Sequence, residues 1–184
     1  MKRTVLIFGV ISGLISSAMM FLTMPLMQRG TINFDNGEVI GYTAIFLSFV
    51  VVFFGIRSYR ESHGGTISFG RGFAVGILIT LISCAFYVAS WEVIYFNFMP
   101  DFTQKYATHQ IEEMRAKGAS EAKIAETKKQ MDDFQRMYSN PLMNVAMTFV
   151  EPFPVGLIVT LVSAGILRRR EARRPSAAPT AAIA

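Results

Sequence analysis

Residues 73–99, FAVGILITLISCAFYVASWEVIYFNFM, form an apolar run that contains a single charged side chain, that of Glu92. A run of about 18 or more apolar residues is typical of a membrane span rather than of a soluble domain. Coiled into an α-helix at about 1.5 Å per residue, this run is long enough to cross roughly 30 Å of hydrocarbon. We therefore predict a transmembrane helix here.

Three similar runs flank this stretch, two before it and one after it. The charged residues are confined to blocks between these runs. The predicted spans are residues 4–27, 39–56, 73–99 and 142–167. The first two carry no charge, and the fourth carries only Glu151. The sequence thus predicts an all-α membrane domain with four spans over residues 1–170, followed by a disordered basic and Ala/Pro-rich tail at 171–184.

The N-terminal run also has a feature of a secretory signal, because Met1-Lys2-Arg3 precedes it. It is longer than an ordinary signal segment and no A-x-A cleavage motif follows it, so we favour a retained span. Cys84 is the only cysteine, and His63 and His109 lie in different segments. This spacing excludes an intrachain disulfide and Cys/His metal motifs, and we expect neither a metal nor a cofactor.

The distribution of basic residues predicts the orientation of the spans. Basic residues lie at every second boundary: Lys2 and Arg3, then Arg57, Arg60 and Arg71, then the arginines of 168–174. Lys and Arg concentrate on the cytoplasmic side of membranes. We therefore expect both termini and the second loop in the cytoplasm, with residues 28–38 and 101–140 outside.

The second loop, within GIRSYRESHGGTISFGRGF at residues 55–73, lacks the G-x-x-x-x-G-K-[ST] pattern of a phosphate-binding loop. Gly64-Gly65 predicts a turn, since glycine takes positive φ without steric cost. Arg57, Arg60 and Arg71 are candidates for fixing topology and for contacting anionic lipid head groups. We expect no nucleic-acid partner.

This loop and the third span resemble a known family. The residues that carry the resemblance are Arg57-Ser58-Tyr59-Arg60, Gly65-Thr66-Ile67-Ser68-Phe69, Tyr87, Trp91-Glu92 and Pro100-Asp101-Phe102. Together they resemble the domain-of-unknown-function 4199 family of small bacterial membrane proteins. The resemblance implies four transmembrane helices and membrane residence, and it implies no reaction. With the orientation above, we expect a multi-pass protein of the bacterial inner membrane.

The polar segment between spans three and four, residues 101–139, is rich in helix formers and carries a loose helical stripe of apolar residues. One helix of about 40 residues would run about 60 Å away from the membrane. We therefore predict a periplasmic hairpin of two helices, broken at Gly118 and capped by Asp101 and Ser120. It either covers the bundle or binds a partner.

Two carboxylates inside the predicted spans, Glu92 and Glu151, are the candidates for mechanism, since charge in a bilayer is costly. Both are expected in the outer leaflet. Pro152 and Pro154 predict a kink beside Glu151. One interpretation is a cation or proton site, with the candidate residues Glu92, Glu151, Asn97 and Asn144. The other is that these glutamates reach water at the interface, beside an aromatic belt.

Small residues at four-residue spacing predict the packing faces of the helices. These stripes are Gly9, Gly13 and Ser17; Gly72 and Gly76; and Gly156, Thr160 and Ala164. Packing within the chain is the first interpretation, and a homodimer through the Gly9–Gly13 face is the second.

Two functions remain open at this point. No nucleophile, metal ligand or oxyanion pattern accompanies the two carboxylates, so we predict no catalytic residue and no enzyme. The first hypothesis is a membrane component that acts through lipids and partner contacts, with a second copy or another membrane or periplasmic protein. The alternative is a small oligomeric transporter, or a cation- or proton-conducting protein, that uses Glu92 and Glu151.

Overall fold

The computed structural model describes residues 1–168, and these fold into α-helices joined by short turns. The helices are α1 (Lys2–Gln28), α2 (Phe34–Glu61), α3 (Phe69–Asn97), α4 (Phe102–Ala116), α5 (Glu121–Tyr138), α6 (Pro141–Val150) and α7 (Pro152–Leu167). The predicted tail at 171–184 lies outside the described residues.

Four stretches of helix are long and apolar enough to cross a membrane: α1, α2, α3 and the consecutive pair α6–α7. The four predicted spans are therefore confirmed, and the chain is a multi-pass membrane protein. Helix α2 begins at Phe34, ahead of the predicted residue 39. It does so because the side chain of Asn33 accepts a hydrogen bond from the backbone N–H of Asn36 (2.8 Å) and caps the helix there.

Helices α2 and α3 form the centre of the bundle, because α1 and α7 each pack against both of them. Helix α1 runs parallel to α3, since Gly9 faces Ile82 and Gly13 faces Phe86 one turn further along both helices. Neighbouring spans alternate in direction along the chain. We call the end that carries α4 and α5 the hairpin end, and the opposite end, which carries the α2–α3 loop, the loop end.

Small residues let the helices approach closely, as the stripes predict. A Cβ added at Gly13 would lie 2.6 Å from Cγ of Phe86, and one at Gly76 would lie 2.7 Å from Cγ2 of Thr160. Neither position accepts a larger side chain without a shift of the neighbouring helix. The Gly9–Gly13 face is thus covered by α3 of the same chain, and a dimer through this face would have to displace α3.

Hydroxyl groups join the spans in the interior. Ser12 Oγ donates to the carbonyl oxygen of Ser48 on α2 (2.8 Å) and lies 3.0 Å from Ser83 Oγ on α3. On the other side of α3, the hydroxyl oxygens of Thr80 and Thr160 lie 3.0 Å apart. Polar groups in a hydrocarbon environment must find partners within the protein, and these pairs satisfy that requirement.

The polar segment forms the predicted helical hairpin of α4 and α5. Gly118 takes a φ of 74° at the turn, a left-handed conformation that favours glycine. Ser120 caps α5, since its side chain accepts from the backbone N–H of Lys123 (3.4 Å). Asp101 occupies the N-cap position of α4 without a capping bond. Its carboxylate instead pairs with Lys105 Nζ at 2.7 Å.

Candidate functional site at the hairpin end

Glu151 lies at a break in the fourth span, between the last residue of α6 and Pro152 at the start of α7. Pro152 and Pro154 have no N–H, so they cannot donate to the carbonyl oxygens of Thr148 and Val150 in the preceding turn. The fourth span is thus interrupted at Glu151, and the predicted kink there stays a prediction. The carboxylate of Glu151 accepts a hydrogen bond from the Tyr87 hydroxyl on α3 (2.9 Å).

A directed chain of hydrogen bonds runs beside this break and joins α3, α5 and α6. Trp91 Nε1 donates to the Tyr138 hydroxyl (2.7 Å), which lies 3.1 Å from Thr148 Oγ1. Thr148 in turn donates to Asn144 Oδ1 (3.1 Å), and Asn144 Nδ2 donates to the Tyr138 carbonyl oxygen (3.2 Å). We call these four side chains the base network, because they attach the hairpin to the bundle.

Because the base network is buried, its side chains hold the hairpin on the bundle and do not change their protonation state. Asn144 and Thr148 are buried, and desolvation raises the pKa of Tyr138 above its ordinary value. The Tyr138 phenol therefore stays neutral and keeps the proton that it donates. Trp91 follows Tyr87 by four residues, so the two hydrogen-bonding side chains lie on one face of α3.

The other predicted site residues lie outside this network. Glu92 is five residues after Tyr87, which places it about 140° around α3 from Tyr87. Its Oε1 is buried and has no hydrogen-bond partner among residues 1–168. Asn97 is exposed and donates to the carbonyl oxygen of Val93 in its own helix (2.9 Å). Within the described part of the chain, no hydrogen bond joins Glu92, Glu151, Asn97 and Asn144 to one another.

A second polar cluster lies where the hairpin meets the start of α2. His109 Nε2 on α4 lies 3.1 Å from Asp35 Oδ1, and Glu113 follows His109 by one helical turn. The ring of Phe34 packs against the His109 imidazole at 5.3 Å between centroids. A groove of about 550 Å³ adjoins the cluster, lined in part by His109 and Phe34.

Sequence reasoning missed this cluster because the contact joins residues 74 positions apart in the chain. No periodicity or local motif brings Asp35 and His109 together. One local pattern in the sequence does indicate two of the three residues of this cluster. His109 and Glu113 have the i, i+4 spacing that places two side chains on the same face of a helix.

The chain also matches a family defined by its sequence. A profile described as a protein of unknown function (DUF4199) matches residues 7–169. The chain belongs to the DUF4199 family. The match begins within the first span and includes the other three spans and the hairpin, so the resemblance predicted from the loop and the third span is confirmed. No curated protein and no solved structure matches the chain.

The residues that carried the DUF4199 resemblance lie at both ends of the bundle: Arg57–Arg60 and Gly65–Phe69 at the loop end, and Trp91 in the base network. Arg57 pairs with Glu61 (2.8 Å) and Arg71 is exposed. Arg60 is different, because only 16% of its side chain is exposed and its Nη1 lies 3.5 Å from the carbonyl oxygen of Leu167. A cation at the C-terminus of a helix stabilises its free carbonyl groups. Arg60 therefore attaches the end of α2 to the end of α7.

Proposed function

We propose that this DUF4199 protein is a non-enzymatic component of the bacterial inner membrane that presents its α4–α5 hairpin to a partner protein in the periplasm. In this proposal both termini and the α2–α3 loop face the cytoplasm. The basic residues at the loop end support that orientation, because Lys and Arg concentrate on the cytoplasmic side.

The main support is that the hairpin is held by a few contacts, at the end of α5 and along one face of α4, while most of its surface is exposed. The base network attaches α5 to the bundle through Tyr138, and the Asp35–His109 contact attaches α4. Apart from these attachments the hairpin contributes little to the core, since Thr103, Ile124 and Tyr138 are its only buried residues. A polar surface held in a fixed direction keeps the ordering cost of binding low, which favours contact with a partner.

The experiment is site-specific photo-crosslinking in intact cells. A photoreactive residue at Lys128, which is exposed on α5, should give a discrete crosslinked species of higher mass. The same probe at Phe46, which is exposed on α2 within the span, should give none because that side chain faces lipid. With the probe kept at position 128, the species should weaken when the neighbouring exposed charge on α5 is reversed by Lys129→Glu. Identical patterns from the two probe positions would contradict the proposal.

The second candidate is conduction of a cation or proton past Glu151. It is favoured by the Tyr87–Glu151 hydrogen bond at a helix break and by the carbonyl groups that the prolines leave without helical donors. It ranks below the first because Glu151 has no hydrogen bond to Glu92 among the described residues. Flux into proteoliposomes that Glu151→Gln abolishes, and that Asn97→Ala leaves intact, would reverse this ranking.

A further inference from the structure

Two sequence regions supply metal-ligating side chains to one point at the hairpin end. Asp35 lies in the first turn of α2, and His109 and Glu113 lie one turn apart on α4. Their ligand atoms all lie within 4.8 Å of one another. An imidazole with two carboxylates is a donor set that suits divalent transition metals such as Zn²⁺.

The distances fit a single ion after small side-chain rotations. Zinc binds nitrogen and oxygen ligands at about 2.0–2.2 Å, so two ligands of a tetrahedral ion lie roughly 3.4 Å apart. Asp35 Oδ1 and His109 Nε2 are already 3.1 Å apart. Only Glu113, whose side chain is flexible and partly exposed, needs to turn toward them.

The imidazole is held in place and the site is open on one side. Phe34 packs against the His109 ring and also against Tyr106 at 5.6 Å between centroids. Packing of this kind limits the rotation of a ligand side chain and favours binding. The Asp35 side chain is 62% exposed, so solvent reaches the cluster and can supply a fourth ligand, as in open zinc sites.

A positively charged lysine side chain already lies beside this cluster. Lys117 Nζ forms an ion pair with Glu113. The Lys117 side chain is 72% exposed, so it can swing into solvent when another cation arrives.

We propose that Asp35, His109 and Glu113 bind one divalent transition-metal cation, which joins the hairpin to the start of α2. This inference goes beyond the proposed function and does not depend on it. The ion would replace the weaker direct contact between Asp35 and His109 and the ion pair between Glu113 and Lys117. The attachment of α4 to the start of α2 would thereby respond to metal supply.

The test is calorimetric titration of Zn²⁺ into the full chain, purified in mild detergent with a tag that contains no histidine and stripped with a chelator. We expect one Zn²⁺ per chain. His109→Ala and Glu113→Gln should each weaken the affinity at least about tenfold, since even the outer partners of metal ligands contribute that much. Glu112→Gln, which changes the adjacent exposed acid of α4, and His63→Ala, at the loop end, should bind as the wild type does.

Lys117→Gln gives a result of the opposite sign. Because Lys117 competes with the metal for Glu113, its removal should tighten Zn²⁺ binding severalfold. Unchanged Zn²⁺ affinity in this variant would show that the ion does not use Glu113 and would contradict the proposal.

Circular dichroism of each metal-free variant checks that the variant is folded, so that a loss of zinc affinity cannot be due to misfolding. If His109→Ala fails to fold, Asp35→Asn replaces one ligand by a side chain of the same size and should also lose affinity at least tenfold. Binding in which the wild type, Asp35→Asn and Glu113→Gln have equal affinity would overturn the proposal, and so would the absence of any saturable binding to the wild type.

Discussion

The membrane bundle and the hairpin are held together by different kinds of contact. In the bundle, glycine and hydroxyl residues let helices touch along regular stripes, as where Gly13 meets Phe86. At the hairpin end a few long-range bonds between large polar side chains carry the attachment, as where Trp91 meets Tyr138. The bundle is thus stabilised by many small contacts and the hairpin by a few specific ones.

This difference predicts where single substitutions act. A change in a bundle stripe should lower the stability of the whole molecule, because adjacent spans share each face. A change at the base of the hairpin should instead increase local opening of α4 and α5, since parts of a protein open with free energies well below the global value.

The largest effect is expected at Gly156 in α7, where an added Cβ would collide with Thr80 and lie 2.8 Å from Cζ of Phe49. Gly156→Ala should lower the free energy of unfolding by about 3 kcal/mol, at the upper end for overpacking. Thermal unfolding in detergent micelles measures it. Gly165→Ala on the same helix is the control, because nothing lies within 4 Å of its added Cβ. Equal losses in both variants would show that the α7 contacts do not set the stability.

The bundle could be predicted from the sequence because its determinants are local and periodic. Long apolar runs such as residues 73–99 identify spans by length alone, and small residues such as Gly72 and Gly76 mark helix faces by spacing. The turn at Gly118 and the break beside Pro152 followed from the backbone chemistry of glycine and proline.

The hairpin attachments could not be predicted, because they depend on how two helices meet in space. Trp91 and Tyr138 are 47 residues apart in the chain, and His109 and Asp35 are 74 apart. Asp101 shows the same limit at short range. Its position at the start of α4 was correct, but its carboxylate pairs with Lys105 rather than with the backbone, since two bonding partners were within reach.

At the base of the hairpin, Tyr138→Phe should cost about 2 kcal/mol, because Trp91 Nε1 loses its acceptor and Thr148 Oγ1 loses the hydroxyl group that donates to it. Amide hydrogen exchange in α4 and α5 should accelerate more than exchange in α3. Tyr106→Phe is the matched control, since its hydroxyl only accepts from Gln110 on its own helix (3.2 Å). Faster exchange across all the spans would contradict a local role for the base network.

A smaller effect is expected within the bundle at Thr80, whose hydroxyl contacts Thr160 on α7 (3.0 Å). Thr80→Val should lower stability by about 0.6 kcal/mol, the mean for such bonds between membrane helices, and by at most about 1.7 kcal/mol. Thr43→Val should have less effect, because Thr43 donates only to the carbonyl oxygen of Val39 in its own helix (2.7 Å). Comparable unfolding temperatures for the two variants would show that the bond between helices adds nothing to a bond within one.

The smallest effect is a pH dependence at the start of α4. The hydrogen bond from Lys105 and its charge hold the pKa of Asp101 below its ordinary value. A carboxyl group with a lowered pKa in the folded state stabilises that state above its unfolded pKa, and this stabilisation is lost as pH falls through the folded pKa. Wild type should therefore unfold at a slightly higher temperature than Asp101→Asn above about pH 4, and the difference should vanish in more acidic solution.

Lys105→Gln should remove most of this pH-dependent difference, because without Lys105 the carboxyl group titrates nearly as it does in the unfolded chain. If this difference in unfolding temperature persists unchanged in the Lys105→Gln background, the effect is due to the dipole of α4 instead. The backbone of α4, and not Lys105, would then stabilise the charged form of Asp101.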